Sequence, residues 1–352
     1  MAGNTFNATG PKAAARSQAA TGNADNVSEK EDLANFISMI SRDETPFLAS
    51  IGRTKASAIF HEWQTDELAT PASGAVADGV SFSTVTAAQT AEPYRTRLGN
   101  YCQINSKTVT VTGTKRAVDQ AGVADEYAYQ LKKRGIEMKR DQEFDLVHSW
   151  QNVSGSSPRK FGGYQAWINY NVYNALDTPS DYTAPTNKGA GTAGTFANAT
   201  GEGNPIELSM VDSIMQDIYE EGGKATVLML SPGQRRIFSS KAQAASNVRR
   251  NIDESGKLRQ SVEFYMSDFG DIKVVPNYIM GLTKALTGTS GAADFSALVY
   301  DPQWFAWATL RPMQEVELGQ LGDSIIGQIV EEGTLEVKNP KGCGLIFGLA
   351  LA

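Results

Sequence analysis

Lys115–Trp150 reads KRAVDQAGVADEYAYQLKKRGIEMKRDQEFDLVHSW, and the rest of the chain hangs from it. The stretch has no proline, begins just after Thr112-Gly113-Thr114 and ends before Ser154-Gly155-Ser156-Ser157-Pro158. As one helix it would run about 54 Å at 1.5 Å per residue. That is far beyond the three or so turns of an ordinary globular helix. Val118, Ala121, Ala124, Ala128, Leu131 and Met138 recur at steps of three, four or seven, which is one helical face. The stripe blurs where Lys139, Arg140, Asp141 and Glu143 crowd in. Phe144, Val147 and Trp150 then form a second patch, turned round the axis. A helix this long, with small residues on one side, is a strut along which something lies. The plainer alternative is a long core helix.

Upstream, Ala58–Asp66 alternates: Ile59, His61 and Trp63 point one way, and Phe60, Glu62 and Gln64 the other. Glu67–Glu92 falls to Ala, Thr, Ser, Gly and Val. Tyr94–Thr112 returns as extended chain, closing on Lys107-Thr108-Val109-Thr110-Val111-Thr112. The two segments predict a long two-stranded hairpin with a polar tip. An isolated hairpin is marginal in water, so this one needs a surface that its own domain does not obviously supply. Before it, Met1–Asn26 has almost no apolar side chain larger than Ala and reads as a mobile arm. Ser28–Ile40 reads as a short helix capped by Ser28, with Glu31 at the capping-box position. Thr45-Pro46-Phe47-Leu48 ends that segment.

Downstream, Gly155–Pro205 is rich in Gly, Ala, Thr, Asn and Pro. Tyr164, Trp167, Ile168, Tyr170, Val172 and Tyr173 should pack locally, while Tyr182–Gly203 reads as a long flexible excursion. Ser209 should cap a helix that stops at Gly222-Gly223. Thr226–Leu230 reads as a buried strand, and Ser231-Pro232 as the cap and first residue of another helix. Val262–Ser267, Asp271–Pro276 and Ala297–Tyr300 read as strands, with Asp268-Phe269-Gly270 turning between the first two. Trp304–Leu310, Ser324–Asn339 and Gly344–Leu351 complete the β-structure. Gly327 and Gly333 interrupt the alternation and suggest bends or bulges.

The chain has 352 residues, 41% of them hydrophobic, with a net charge of −7. It can bury a sizeable core, and its acidity argues against a coat that holds nucleic acid by bulk charge attraction. No apolar run is long enough to span a membrane, and no signal peptide is present, so folding in a cytoplasm is expected. Cys102 and Cys343 make neither a disulfide framework nor a metal cluster.

The chemistry of catalysis is sparse. His61-Glu62 opens like a zinc-peptidase motif, but Thr65 stands where the second histidine belongs. His61 beside Trp63 reads as a hydrogen-bonded packing residue, and His148 as solvated or capping. Gly256-Lys257-Leu258 lacks the rest of a phosphate loop, and Gly288-Thr289-Ser290-Gly291 is one residue short of a nucleophile elbow. Glu220-Glu221 and Glu331-Glu332 have no partner histidine, and Arg249-Arg250 reads as a solvated basic spot. Neither a cofactor nor a metal is expected. This balance favours a structural protein over an enzyme.

The order of elements then carries a resemblance. Disordered arm, short helix, long hairpin, strut helix, α/β region and returning strands resemble the Hong Kong 97-like major capsid proteins of tailed bacteriophages. Thr45-Pro46-Phe47-Leu48, His61-Glu62-Trp63-Gln64-Thr65-Asp66, Arg97-Leu98-Gly99-Asn100-Tyr101, Asp268-Phe269-Gly270 with Val274-Val275-Pro276-Asn277, and Leu310-Arg311-Pro312 sharpen the likeness to one branch of phage major head proteins. It runs from about Glu31 to the C-terminus, and departs from the pattern in the Ala-rich arm and around Thr183–Gly203.

The resemblance implies an α+β fold in five parts. These are an N-terminal arm and short helix (1–50), an E-loop hairpin and its base (51–113), a spine helix and P-domain segment with a flexible insertion (114–205), an A-domain (206–303) and returning P-domain strands (304–352). It implies a virion protein, assembled in the host cytoplasm, that forms pentamers and hexamers of an icosahedral head around double-stranded DNA. Glu62, Trp63, Asp66, Arg95, Arg97 and Lys107 are its candidate intersubunit contacts. Packaged DNA would be touched weakly, with Lys12 and Arg16 as candidates. Portal and decoration proteins would be separate partners, with a separate scaffolding protein or none. Only about thirty residues precede the first family block, so little or no proteolytic maturation is expected. A tail or decoration protein without catalytic activity is one rival reading, and an α+β enzyme, which would need a pocket gathering His61, His148 or the acids, is the other.

Overall fold

The computed structural model describes residues 42–68, 71, 75, 78–79, 95–118, 122–148, 158–168, 170–175, 204–245, 262–281, 296–319 and 322–349. The expected arm, the helix Ser28–Ile40, the excursion Tyr182–Gly203, Arg249-Arg250, Gly256-Lys257-Leu258 and Gly288–Gly291 lie outside them. So does most of the hairpin tip. Residues 39–118 and 125–352 form one compact unit, which holds every strand and helix named here; Gly122 and Ala124 belong to the other.

Its strands are β1 (Gly52–Lys55), β2 (Phe60–Thr65), β3 (Thr96–Tyr101), β4 (Gln103–Thr112), β5 (Asn171–Asn174), β6 (Val227–Leu230), β7 (Phe264–Ser267), β8 (Gly270–Pro276), β9 (Ala297–Tyr300), β10 (Phe305–Leu318), β11 (Ser324–Val337) and β12 (Gly344–Phe347). Its helices are α1 (Pro46–Ser50), α2 (Gly113–Ala117), α3 (Glu126–His148), α4 (Tyr164–Trp167), α5 (Leu208–Glu220) and α6 (Pro232–Ala245). One sheet has the order β1-β10-β11-β4, a second β5-β12-β9-β6-β8-β7, and β2-β3 form a ribbon. β5 lies in the segment 114–205 and β12 in 304–352, yet both join the six-stranded sheet.

The strut is shorter than its periodicity predicts. The single helix Lys115–Trp150 is instead two: α2, then α3 of 23 residues, about 35 Å long. Val118 is extended, at φ −89° and ψ 135°. Gly122 has φ +84°, a left-handed conformation that glycine adopts freely. The helix restarts at Asp125, whose carboxylate accepts the Tyr127 N–H at 3.0 Å. The buried face also differs. Val118, Ala124 and Ala128 are exposed, whereas Met138, Gln142, Glu143, Leu146 and Val147 are buried.

Of the β11 glycines, Gly327 serves packing, while Gly333 lies at a register shift, as expected, and is also packed upon. Tyr127 occupies the place a side chain on Gly327 would take, and the Trp307 ring covers Gly333. The register shifts fall on β10, between Thr309 and Arg311 and between Arg311 and Gln314. Ser209 lies inside α5, whose N-cap is Glu207. The end of α5 is as expected: Gly222, at φ +83°, and Gly223 donate to the Tyr219 and Ile218 carbonyls, a Schellman motif. Ser231 Oγ accepts the Gln234 N–H at 3.3 Å and starts α6.

The core joins distant pieces of chain. Phe47, Tyr164, Tyr300 and Phe305 pack ring against ring, with centroids 5.2–5.9 Å apart. Tyr164 and Trp167 therefore reach the main core rather than packing locally. A second apolar cluster gathers Met210, Val211, Ile214 and Ile218 of α5 with Phe238 of α6 and the six-stranded sheet.

Candidate assembly surface

The β2-β3 ribbon pairs in register from Phe60↔Tyr101 to Thr65↔Thr96. Cys102 ends it, and the chain passes directly into β4, which pairs with β11. The expected hairpin thus uses only the first part of Tyr94–Thr112. Its base is held by the subunit's own body, contrary to the expectation that it lacks a local surface. Buried Asn100 donates to the Gly162 and Leu335 carbonyls at 3.0 and 2.9 Å, and accepts the Gly162 N–H at 2.9 Å. His61 Nε2 lies 3.3 Å from a Glu336 oxygen that also accepts from Thr54.

The six predicted contact residues fall into three groups. Trp63 stacks at a tilt on Trp167, centroids 5.3 Å apart, at the edge of the core. Glu62 faces Arg97 at 3.7 Å, and Asp66 faces Arg95 at 3.4 Å. Both pairs cross the ribbon and are largely exposed, so their strength is modest. Lys107 is separate: it pairs with Asp141 and ties β4 to α3. Lys341 ties the ribbon's far end to the C-terminal end of α5. Its ammonium meets Glu67 at 3.0 Å, Glu221 at 3.3 Å and the face of Tyr170 at 5.3 Å.

The four-stranded sheet has two unlike faces. Tyr127, Asp141 and Asp145 of α3 address one of them, through Glu315, Lys107 and Gln103. The other face lacks such a cover among the described residues. Ile104, Ser106, Thr108, Thr110 and Thr112 are exposed there. Ser106, Thr108 and Thr110 align with Val330, Gln328 and Ile326, and these with Gln314, Val316 and Leu318; Ile104 aligns with Glu332, and Glu332 with Arg311. The rows from Ser106 to Thr110 carry no charge, whereas the row of Ile104 holds the Glu332–Arg311 pair, which Arg159 also reaches.

Two buried acidic groups were not legible in the sequence. Glu143 accepts the Phe47 and Leu48 N–H groups at 2.9 and 2.7 Å and the Asn277 amide at 2.7 Å. It fastens α1, α3 and the loop after β8 at one point. Burial pushes its carboxyl up to about 7, against the pull of those three donors. Glu332 sits between Arg159 at 3.0 Å and Arg311 at 2.8 Å, while Glu331 accepts the Trp307 indole N–H at 3.2 Å. The pattern that could have exposed Glu143 is an acid on the apolar side of a helix, facing the free N–H groups after Pro46.

His148 is neither solvated nor capping. Its ring stacks on Phe144 and its Nε2 donates to the Ile279 carbonyl at 2.9 Å; burial lowers its pKa. Cys102 and Cys343 are free and buried, and burial raises the Cys102 thiol to about 11. Among the described residues no group of three metal-ligating side chains comes together, and no helix is long and apolar enough to cross a membrane.

Residues 13–350 match the family of SU10 major capsid proteins. The chain belongs to that family. This capsid subunit is 26% identical over 356 aligned positions to the major capsid protein of Escherichia phage Phieco32, covering 93% of this chain and 96% of that one. Among solved structures it is similar to the capsid of cyanophage Pam1, at 13% identity and TM-score 0.59, over 95% of this chain and 100% of that one. It is also similar to the capsid of cyanophage P-SCSP1u, at 12% and 0.55, over 90% and 92%. The SrpI encapsulin of Synechococcus elongatus PCC 7942 shares the fold at 9% and 0.53, over 92% and 94%. The fold is the Hong Kong 97-like α+β capsid fold. The capsid subunit is a structural protein of the virion, not an enzyme, and its copies build a phage head shell.

Proposed function

We propose that copies of this subunit close an icosahedral shell of five- and six-membered rings around double-stranded DNA. In each ring the hairpin Lys55–Asn105 of one copy lies across the spine helix and four-stranded sheet of the next. The observation that carries this reading is the uncharged part of that sheet face, from Ser106 to Thr110 and across to Gln314, Val316 and Leu318, exposed on β4 and without a cover among the described residues. A β-branched, threonine-rich face is suited to receive an extended segment. The hairpin supplies one: among the described residues β2 and β3 are extended and pair as a two-stranded ribbon. Glu62, Asp66, Arg95 and Arg97 stand exposed above its base and would set register rather than supply affinity. Ring contacts of this kind are heterologous: one patch meets a different patch on the neighbour.

In the same reading, assembly takes place in the host cytoplasm, and portal, scaffolding and decoration proteins are separate chains. Deletion of Glu67–Glu92 tests the hairpin's part. The expected product is a folded, soluble subunit that makes no closed particles by electron microscopy. Normal shells from that variant would overturn the reading.

A further inference from the structure

The spine helix has a second face. Tyr127, Asp141 and Asp145 mark the side of α3 that addresses the four-stranded sheet. At 3.6 residues per turn, Lys132, Lys133, Lys139 and Arg140 gather on the opposite side, with Tyr129 and Ile136 between them. Lys132, Lys133 and Lys139 are exposed. The only acid between Tyr129 and Arg140 is Glu137, and it is turned aside to pair with Arg134 at 2.6 Å. Among the described residues none of the four cations has an ion-pair partner. Glu126 lies within electrostatic reach of Lys133 but is bound to Lys115. In a chain whose net charge is −7, four cations on one helix face without an ion-pair partner among the described residues are a local reversal of sign.

We propose that this face of α3 binds the sugar–phosphate backbone of packaged DNA. The assignment rests on the shell reading, which puts double-stranded DNA inside the particle. Charge complementarity selects the occupant. Two basic pairs, seven residues apart, lie about 10 Å apart along the axis and present a row of cations to a polyanion. Lysine and arginine heads of this kind neutralise phosphates without reading sequence. The flanking Tyr129 and Ile136 are part-buried, so base stacking is not the mode. Bulk acidity and a local basic row together suit a wall that holds DNA loosely and without sequence preference.

The test is the salt dependence of binding by purified subunits to a short labelled duplex. Each phosphate contact contributes about 0.9 to the slope of log K against log salt. Lys132→Gln/Lys133→Gln should flatten the slope by about 1.8, and adding Lys139→Gln/Arg140→Gln by about 3.6 in all. Arg235→Gln/Arg236→Gln, a matched change on α6, should leave it unmoved. The Lys→Arg version of the first three positions should bind as wild type. It also answers for any loss of folding in the Gln variants. An unchanged slope in Gln variants that still close shells would overturn the DNA assignment and leave the shell reading standing. The same holds if the Gln variants lose binding to polyglutamate and not to DNA, which would make the face a protein dock. Wild-type protein that closes no shells would overturn the shell reading, and this assignment with it.

Discussion

Glu143 is a carboxylate placed where solvent cannot reach it, and it stays because three donors converge on it. Proline at the first position of α1 leaves the Phe47 and Leu48 N–H groups as the ones needing acceptors. Removing the side chain strands them. Glu143→Ala should cost about 1–3 kcal/mol for each donor left unpaired, seen as a lower Tm. The pH dependence has a definite sign. The folded-state pKa, about 7, lies above the ordinary 4.5. The native state therefore holds this proton more tightly than the unfolded chain does. That contribution is full below about pH 4.5 and is lost as pH rises through about 7. Glu143→Gln does not titrate, so the stability of wild type relative to this variant should fall across that window. A difference that stays flat from pH 4.5 to 7 would refute the assignment. Nothing in the spacing of residues 138–147 marks Glu143 as the joint, because its partners come from positions 47, 48 and 277.

At the scale of elements, the alternation of β2 was legible. His61 and Trp63 do turn toward the body, as their apolar and hydrogen-bonding character demands. The caps at Ser231 and Gly222-Gly223 were legible for the same reason: their physics is local. The break before α3 was not. Alanine and valine keep a helical period whether or not they are buried, so the stripe from Val118 to Ala128 ran through Gly122 without signalling a turn. Gly333 did mark a register shift, whereas Gly327 misled because its neighbour, Tyr127, is set by tertiary packing. Trp63 offers an element-level test. Trp63→Ala removes a ring pair worth about 0.5–1.5 kcal/mol beyond its buried area. Amide exchange should quicken in β2 and β3, while the six-stranded sheet keeps its protection. Equal acceleration in both would mean that the ribbon and core open as one.

At the scale of the whole molecule, each contact between copies is expected to be modest, about 800 Å² per partner, and closure multiplies them. Assembly followed by light scattering should then show a sharp threshold in subunit concentration. Dilution below that threshold should leave finished shells intact for much longer than they took to form. A graded ladder of dimers and trimers, reversing freely on dilution, would contradict this. The order of elements along the chain was enough to reveal the architecture. The exchange of β5 and β12 into the six-stranded sheet was not legible, since parallel pairing over such separations leaves no local mark.

Lys341 grips Glu67, Glu221 and Tyr170 through one flexible four-carbon stem. An ammonium is a point charge with no preferred plane, so it keeps its hold while the groups around it turn. The ribbon is thereby moored by a swivel rather than a rigid bracket. In the proposed shell, one sequence would then meet neighbours across sharp and shallow curvature alike, without a second conformation of its core.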